Sequence, residues 1–181
     1  MSQEVIDRVT SIVQAFDRRV QAAPADSWDN ASPCEGWTAR DVVVHVGNNL
    51  FGIGSAFAGS EPRAIAEDED IVSAWNEARD LLLNTLPTAD LTMALPGPMG
   101  KMPAGQMLGR LVATDVLVHT WDLARAVGGD EQLDAESVAG AYSGLKPMDT
   151  MIRIPGVFGP RIDVTGVDLQ TEFLSFLGRR V

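Results

Sequence analysis

Asp115 and His119 stand four residues apart in Thr114-Asp115-Val116-Leu117-Val118-His119-Thr120-Trp121-Asp122. On a helix, residues at i and i+4 lie one above the other, a turn apart. The apolar residues Leu108, Leu111 and Val112 precede the pair on the same stripe, so both polar groups should face the core. A charge there is costly unless it is neutralised or coordinated. The only other histidine, His45, sits in a second apolar run, Asp41-Val42-Val43-Val44-His45-Val46. His45, Asp115 and His119 together could supply three nitrogen and oxygen ligands to one divalent metal and leave a fourth position open. Zn²⁺ is the first expectation, and Ni²⁺, Fe²⁺ or Co²⁺ suit the same donors. An open position lets a metal lower the pKa of a bound water or thiol and hold it as a nucleophile.

The same residues admit other readings. Asp115 could simply hydrogen-bond to His119, or pair with Arg40 or Arg125, with His45 elsewhere. Asp122 could support His119 or form an ion pair with Arg40 or Arg125, and the ion pair is the expectation. Cys34 precedes the second helix and is read as a packed thiol rather than a nucleophile, since unpaired cysteine behaves as a small buried hydrophobe. Trp28, Trp37, Trp75 and Trp121 are read as packing. Met93, Met99, Met102 and Met107 either line an adaptable apolar mouth or fill gaps.

Helical periodicity identifies the elements that must position these groups. The first helix spans about Gln3 to Ala23, with Val5, Ile6, Val9, Ile12, Val13, Phe16 and Val20 inward, and Pro24 ends it. After a turn-rich loop, Thr38 reads as an N-cap with Asp41 in an acidic capping box. The second helix then runs to about Phe57 on Val42, Val46, Leu50 and Ile53. A third spans roughly Asp68 to Leu86. Prolines and glycines from Pro96 to Gly105 form a long loop, in which Leu91-Thr92-Met93 and Gly100-Lys101-Met102 could pair as a small β-hairpin. The fourth helix, about Ala104 to Val127, carries the Asp/His pair and stops at Gly128-Gly129. Short helices follow, one capped by Asp134 and reaching Tyr142, another from Asp168 to Leu177, with Ile154 to Pro160 irregular between them. The class expected is all-α, a four-helix bundle in a single domain over residues 1–181.

Composition narrows the function. The chain has 181 residues, 45% hydrophobic and 22% charged, with a net charge of −11 and one cysteine. That size and balance suit one soluble domain. The acidic excess argues against nucleic acid as a partner, because phosphate binding needs a basic patch. A single cysteine excludes an internal disulfide and is too few for a cysteine-based metal site. No apolar stretch approaches the roughly 20 residues of a membrane span, and no signal peptide is apparent, so a cytoplasmic protein without membrane contact is expected.

Three stretches resemble a known family. Ser32-Pro33-Cys34-Glu35-Gly36-Trp37-Thr38-Ala39-Arg40-Asp41 with His45 is similar to its "(T/S)PCxGW-x2-RDL-x2-H" opening of the second helix. Asp115 to Ala126 resembles its "D-x3-H-x-WDLARA" signature, and Phe158-Gly159-Pro160 with Phe173 to Arg179 its "FGP…LLAFLGR" ending. The family is the DinB-like metal-binding group related to the N-terminal domain of mycothiol-dependent maleylpyruvate isomerase. The resemblance implies a DinB-type bundle holding a divalent metal through His45, Asp115 and His119. It also implies a low-molecular-weight thiol, mycothiol, whose sulfur takes the open metal position as a thiolate and attacks a small electrophile. Two departures matter. The isomerase carries glutamate where this chain has Asp115, and it has a further C-terminal domain for which 181 residues leave no room, so maleylpyruvate isomerisation itself is not expected. The expectation is therefore a metal-dependent thiol transferase. Its rival is a non-catalytic metal- or ligand-binding bundle with a stress or sequestration role. The oligomeric state is open, a homodimer included.

Overall fold

The computed structural model describes residues 2–97, 100–153 and 158–181. Four long helices carry most of the first part of the chain. Helix α1 spans Ser2–Ala22, α2 Ala39–Ala58 and α3 Ile71–Thr85. Helix α4 is continuous but has three segments: Ala104–Gln106, a π-helical Met107–Val112, and Ala113–Val127. Among these helices α2 packs on α3 and α4, while α1 packs on α4 and α3. The ring order is therefore α1–α3–α2–α4, a four-helix bundle in which the sequence neighbours α1 and α2 sit diagonally. The expected all-α class holds.

Local chemistry sets the ends of these helices. Thr38 caps α2 through its side chain, which accepts from Asp41 N–H, while Asp41 accepts from Thr38 N–H. This is the capping box expected from the sequence. Asp70 caps α3 by accepting from Ser73 N–H, so that helix begins a little later than its periodicity suggests. Gly128 ends α4 with φ +68°, a left-handed conformation that costs glycine nothing.

The inward stripes form one core. Val9, Ile12, Val13, Phe16 and Val20 of α1 are buried, as are Val42, Val46, Leu50 and Ile53 of α2 and Trp75 and Leu82 of α3. Helices α2 and α3 approach closely at Gly54, where an added Cβ would lie 2.8 Å from the Leu81 Cγ and 3.1 Å from the Leu82 nitrogen.

The β-hairpin exists, but in a different register from the one expected. Strand β1 is Ala94–Gly97 and β2 Gly100–Pro103, antiparallel, with Leu95 opposite Met102. Leu91-Thr92-Met93 instead forms a turn on Asp90, whose carboxylate accepts from Thr92 N–H and whose carbonyl accepts from Met93 N–H. Met107 and Met102 pack on Gly97, their methyl groups 3.2 and 3.5 Å from where a Cβ there would sit. Met99 lies outside the described residues.

The chain's contacts group into two compact units, residues 1–131 and 132–181. The second contains α5 Ala135–Leu145, a single-turn α6 Asp149–Ile152, and α7 Leu169–Phe176. Tyr142 packs on Phe173 and Phe176 and donates to Glu172, while Arg153 covers the Phe176 ring. Of the stretch expected to be irregular, Ile154 to Val157 lie outside the described residues.

One polar knot ties α1 to α3. Asp17 Oδ1 accepts from Trp75 Nε1 at 2.9 Å, Arg79 at 2.6 Å and Gln21 at 3.0 Å. Burial pushes the Asp17 carboxyl up, but the hydrogen bonds from Trp75, Gln21 and Arg79 and the Arg79 charge hold it below its usual value. A pKa depressed by folding stabilises the fold above the unfolded value, and the benefit is lost as pH falls through the folded one. Asp17→Ala strands the Trp75 N–H and should cost about 1–3 kcal/mol near neutral pH, measured by urea unfolding. Asp17→Asn, which keeps an acceptor, should cost less. The gap between wild type and Asp17→Ala should shrink below about pH 4; a gap that ignores acidification would contradict the role given to this carboxylate.

Candidate metal centre

The site is built from α2, α4 and the loop before α2. That loop folds back on itself: Ala31 bridges Thr38, Ser32 N–H donates to the Trp37 carbonyl, and Trp37 N–H to the Cys34 carbonyl. The turn carries Cys34 and Trp37 toward the start of α2, where His45 lies two turns in. Helix α4 contributes Asp115, His119 and Asp122 from successive turns of one face.

His45, Asp115 and His119 meet. Their ligand atoms all lie within 4.8 Å of one another. His45 Nε2 is 3.2 Å from both Asp115 oxygens, and His119 Nε2 is 3.4 Å from Asp115 Oδ1. An ion with bonds of about 2.0–2.2 Å to nitrogen and oxygen sets such donors roughly 3.4 Å apart at a tetrahedral angle. Both histidine–carboxylate separations are therefore compatible with a shared cation. The reading that placed His45 elsewhere is excluded.

Asp115 is half-buried, with 30% of its side chain exposed, rather than sealed in the core; His45 is similar at 33% and His119 is buried. Burial pushes the Asp115 carboxyl up, yet the charge and hydrogen bonding of His119, followed by His45, hold it far below the usual carboxylate range. Burial pushes His119 down, but Asp115, Asp122 and Cys34 together raise it well above the usual histidine value. Asn49, one turn after His45, donates to Asp115 Oδ2 at 3.3 Å. Trp37 packs against both imidazoles, with ring centroids 5.1 Å from His45 and 5.8 Å from His119.

Asp122 corrects an expectation. It is fully buried, and its Oδ2 accepts from His119 Nδ1 at 2.9 Å and from the Cys34 thiol at 3.3 Å. The arginines expected to pair with it are engaged elsewhere. Arg40 donates to the carbonyls of Ala66, Glu67 and Glu69, and Arg125 binds Glu131 and lies over the Trp121 ring. A carboxylate only accepts, so this contact puts a proton on Nδ1 and leaves Nε2 for a metal or for Asp115. Cys34, read from the sequence as a packed thiol, is part of this cluster, with Sγ also 3.9 Å from His119 Nδ1. Both Cys34 and Asp122 face the same ring nitrogen, so the trio is not a relay in which histidine stands between acid and nucleophile. Asn49 and Trp37 were missed as site residues. His45-x3-Asn49 has the same i, i+4 spacing that singled out Asp115 and His119, so the signal was present.

Comparison with known proteins identifies the family. The family model described as the mycothiol maleylpyruvate isomerase N-terminal domain matches residues 9–124, which include every residue of the cluster. Two proteins described as uncharacterized, from Mycobacterium tuberculosis strains CDC 1551 / Oshkosh and ATCC 25618 / H37Rv, are each 34% identical over 131 residues. That match covers 67% of this chain and spans 66% of each relative's length. No solved structure matches the chain significantly. No helix among the described residues is long and apolar enough to cross a membrane. By the family match and the helical bundle alike, the chain belongs to the mycothiol maleylpyruvate isomerase N-terminal domain family, within the DinB-like superfamily.

Proposed function

We propose that His45, Asp115 and His119 hold a divalent cation, Zn²⁺ ahead of Ni²⁺, Fe²⁺ or Co²⁺, and that the protein transfers a small-molecule thiol of the mycothiol type to a small electrophile. The observation that carries this reading is the 3.2–3.4 Å spacing of nitrogen and carboxylate oxygen in the trio. A dication bound there lowers the pKa of an arriving thiol and favours its thiolate form. One carboxylate and two neutral imidazoles leave one positive charge uncancelled, which an anionic sulfur neutralises. The partial exposure of His45 and Asp115 gives such a molecule an approach, whereas a purely sequestering site is better served by full enclosure.

The surrounding side chains orient the trio. Asp122 accepts the Nδ1 proton of His119 and so turns Nε2 toward Asp115. Asn49 donates to Asp115 Oδ2, and Trp37 limits rotation of both imidazoles.

Calorimetry with Zn²⁺ should find one ion per chain in the wild type and in Cys34→Ser, and in that Cys34→Ser background tight binding should disappear on adding either His45→Ala or His119→Ala. Tight binding that survives Cys34→Ser/His45→Ala would refute the ligand set. Asp122→Ala, removing the support of a ligating histidine, should weaken Zn²⁺ binding about 10- to 100-fold. Mycothiol consumption should depend on added metal when the loaded protein meets a panel of small electrophiles. Absence of metal-dependent turnover across the panel would favour the non-catalytic binding bundle instead.

A further inference from the structure

Cys34 has no part in the proposed transfer, yet it completes a second group of donors. Its Sγ is 3.3 Å from Asp122 Oδ2 and 3.9 Å from His119 Nδ1, and those two atoms are 2.9 Å apart. A zinc-like ion with bonds of about 2.3 Å to sulfur and about 2.0–2.2 Å to nitrogen and oxygen sets such donors roughly 3.4–3.5 Å apart. The observed separations straddle that value, and all three atoms lie within 4.8 Å of one another. Asp122 and His119 are buried here and Cys34 is half-buried. This group lies on the Nδ1 edge of the same imidazole whose Nε2 edge faces Asp115 and His45. The two nitrogens of an imidazole direct their lone pairs away from each other in the ring plane. One cation cannot use both, so Cys34 is not a fourth ligand of the first trio.

We propose that Cys34, His119 and Asp122 form a second cation site, selective for thiophilic ions, and that His119 can serve only one of the two sites at a time. The exclusion follows from a proton. A neutral imidazole has one N–H and one lone pair. A cation on Nε2 needs the proton on Nδ1, where Asp122 accepts it at 2.9 Å. A cation on Nδ1 needs the proton on Nε2, which lies 3.4 Å from Asp115 Oδ1. Each carboxylate is a ligand in one state and a proton acceptor in the other.

Charge and softness separate the two occupants. Binding at the second site releases the thiol proton and the proton on His119 Nδ1 to solvent, and leaves a neutral imidazole with its remaining proton on Nε2. A dication with one thiolate, one carboxylate and a neutral imidazole is electrically neutral, which suits the fully buried Asp122. Thiolate selects soft cations, whereas two imidazoles and a carboxylate suit borderline ones. The Cys34 site stands independently of the proposed transferase activity, whereas the exclusion rests on a cation being held by His45, Asp115 and His119.

Cd²⁺ is the probe, followed by its ultraviolet thiolate-to-metal charge-transfer band on the full chain, with circular dichroism checking that each variant is folded. The wild type should bind one Cd²⁺ per chain and show the band. The His45→Ala/Asp115→Asn double variant should keep both. Cys34→Ser should lose the band, and its Cd²⁺ affinity should fall by at least the roughly 10- to 100-fold that loss of an outer partner costs. No band in the wild type would overturn the site. Loss of the band in the folded double variant would overturn its independence from the first trio, and two Cd²⁺ per chain would overturn the exclusion. The two proposals fail separately: the double variant tests the Cys34 site through its Cd²⁺ band, and Cys34→Ser tests the His45, Asp115 and His119 site through its tight Zn²⁺ binding.

Discussion

One imidazole with both nitrogens engaged by carboxylates governs this bundle. His119 is buried between Asp115 at i−4 and Asp122 at i+3 on the same helix, so a single face of α4 carries two acids and a base through an otherwise apolar core. Such groups are costly to bury unless each is satisfied. Satisfaction comes from outside α4: His45 and Asn49 on α2 reach Asp115, and Cys34 in the preceding loop reaches Asp122. The α2–α4 contact is thus polar at its centre and apolar around it, which leaves little freedom in how those two helices are registered.

The rest of the bundle supports that contact. With α1 and α2 on a diagonal, α2 is flanked by α3 and α4. Gly54 lets α3 come close on one side, and the charged cluster sits on the other. The Asp17 knot fastens α1 to α3 through Trp75 and Arg79. Among the described residues, these two polar clusters, both anchored by aspartate, join the helices across a mostly hydrophobic core. Arg40, Arg63 and Arg125 act at the margins, on loop carbonyls, glutamates and aromatic faces.

Features governed by local chemistry were legible in the sequence. The Thr38/Asp41 capping box, the stop at Gly128 and the inward stripes of α1 and α2 all depend on residues within a few positions of each other. The pairing of His45 with Asp115 joins two distant parts of the chain; spacing only permitted it, and the family motifs singled it out. Asp122 was misread because an arginine seemed the necessary partner, whereas a neighbouring imidazole and a thiol suffice when both donate. Cys34 was set apart because distance along the chain hid the fold-back made by the Ala31–Thr38 bridge. The hairpin slid along the chain because Asp90 claims the amides of Thr92 and Met93.

The wide turns from Met107 to Val112 were not legible either, since apolar residues at ordinary helical spacing run straight through them. Their effect shows in Leu111, which is only half-buried although Leu108 and Val112 are buried. A π-helical stretch amounts to an extra residue in the coil, and it rotates everything after it relative to everything before. The upstream part of α4 is thereby free to follow the hairpin, and the π-helical stretch packs Gly109 against Val5 of α1, while the downstream part aims its ionisable side chains at α2. A single inserted codon would be enough to create such an offset, so the angular aim of the ligand-bearing half could be reset in evolution without redesigning the scaffold around it.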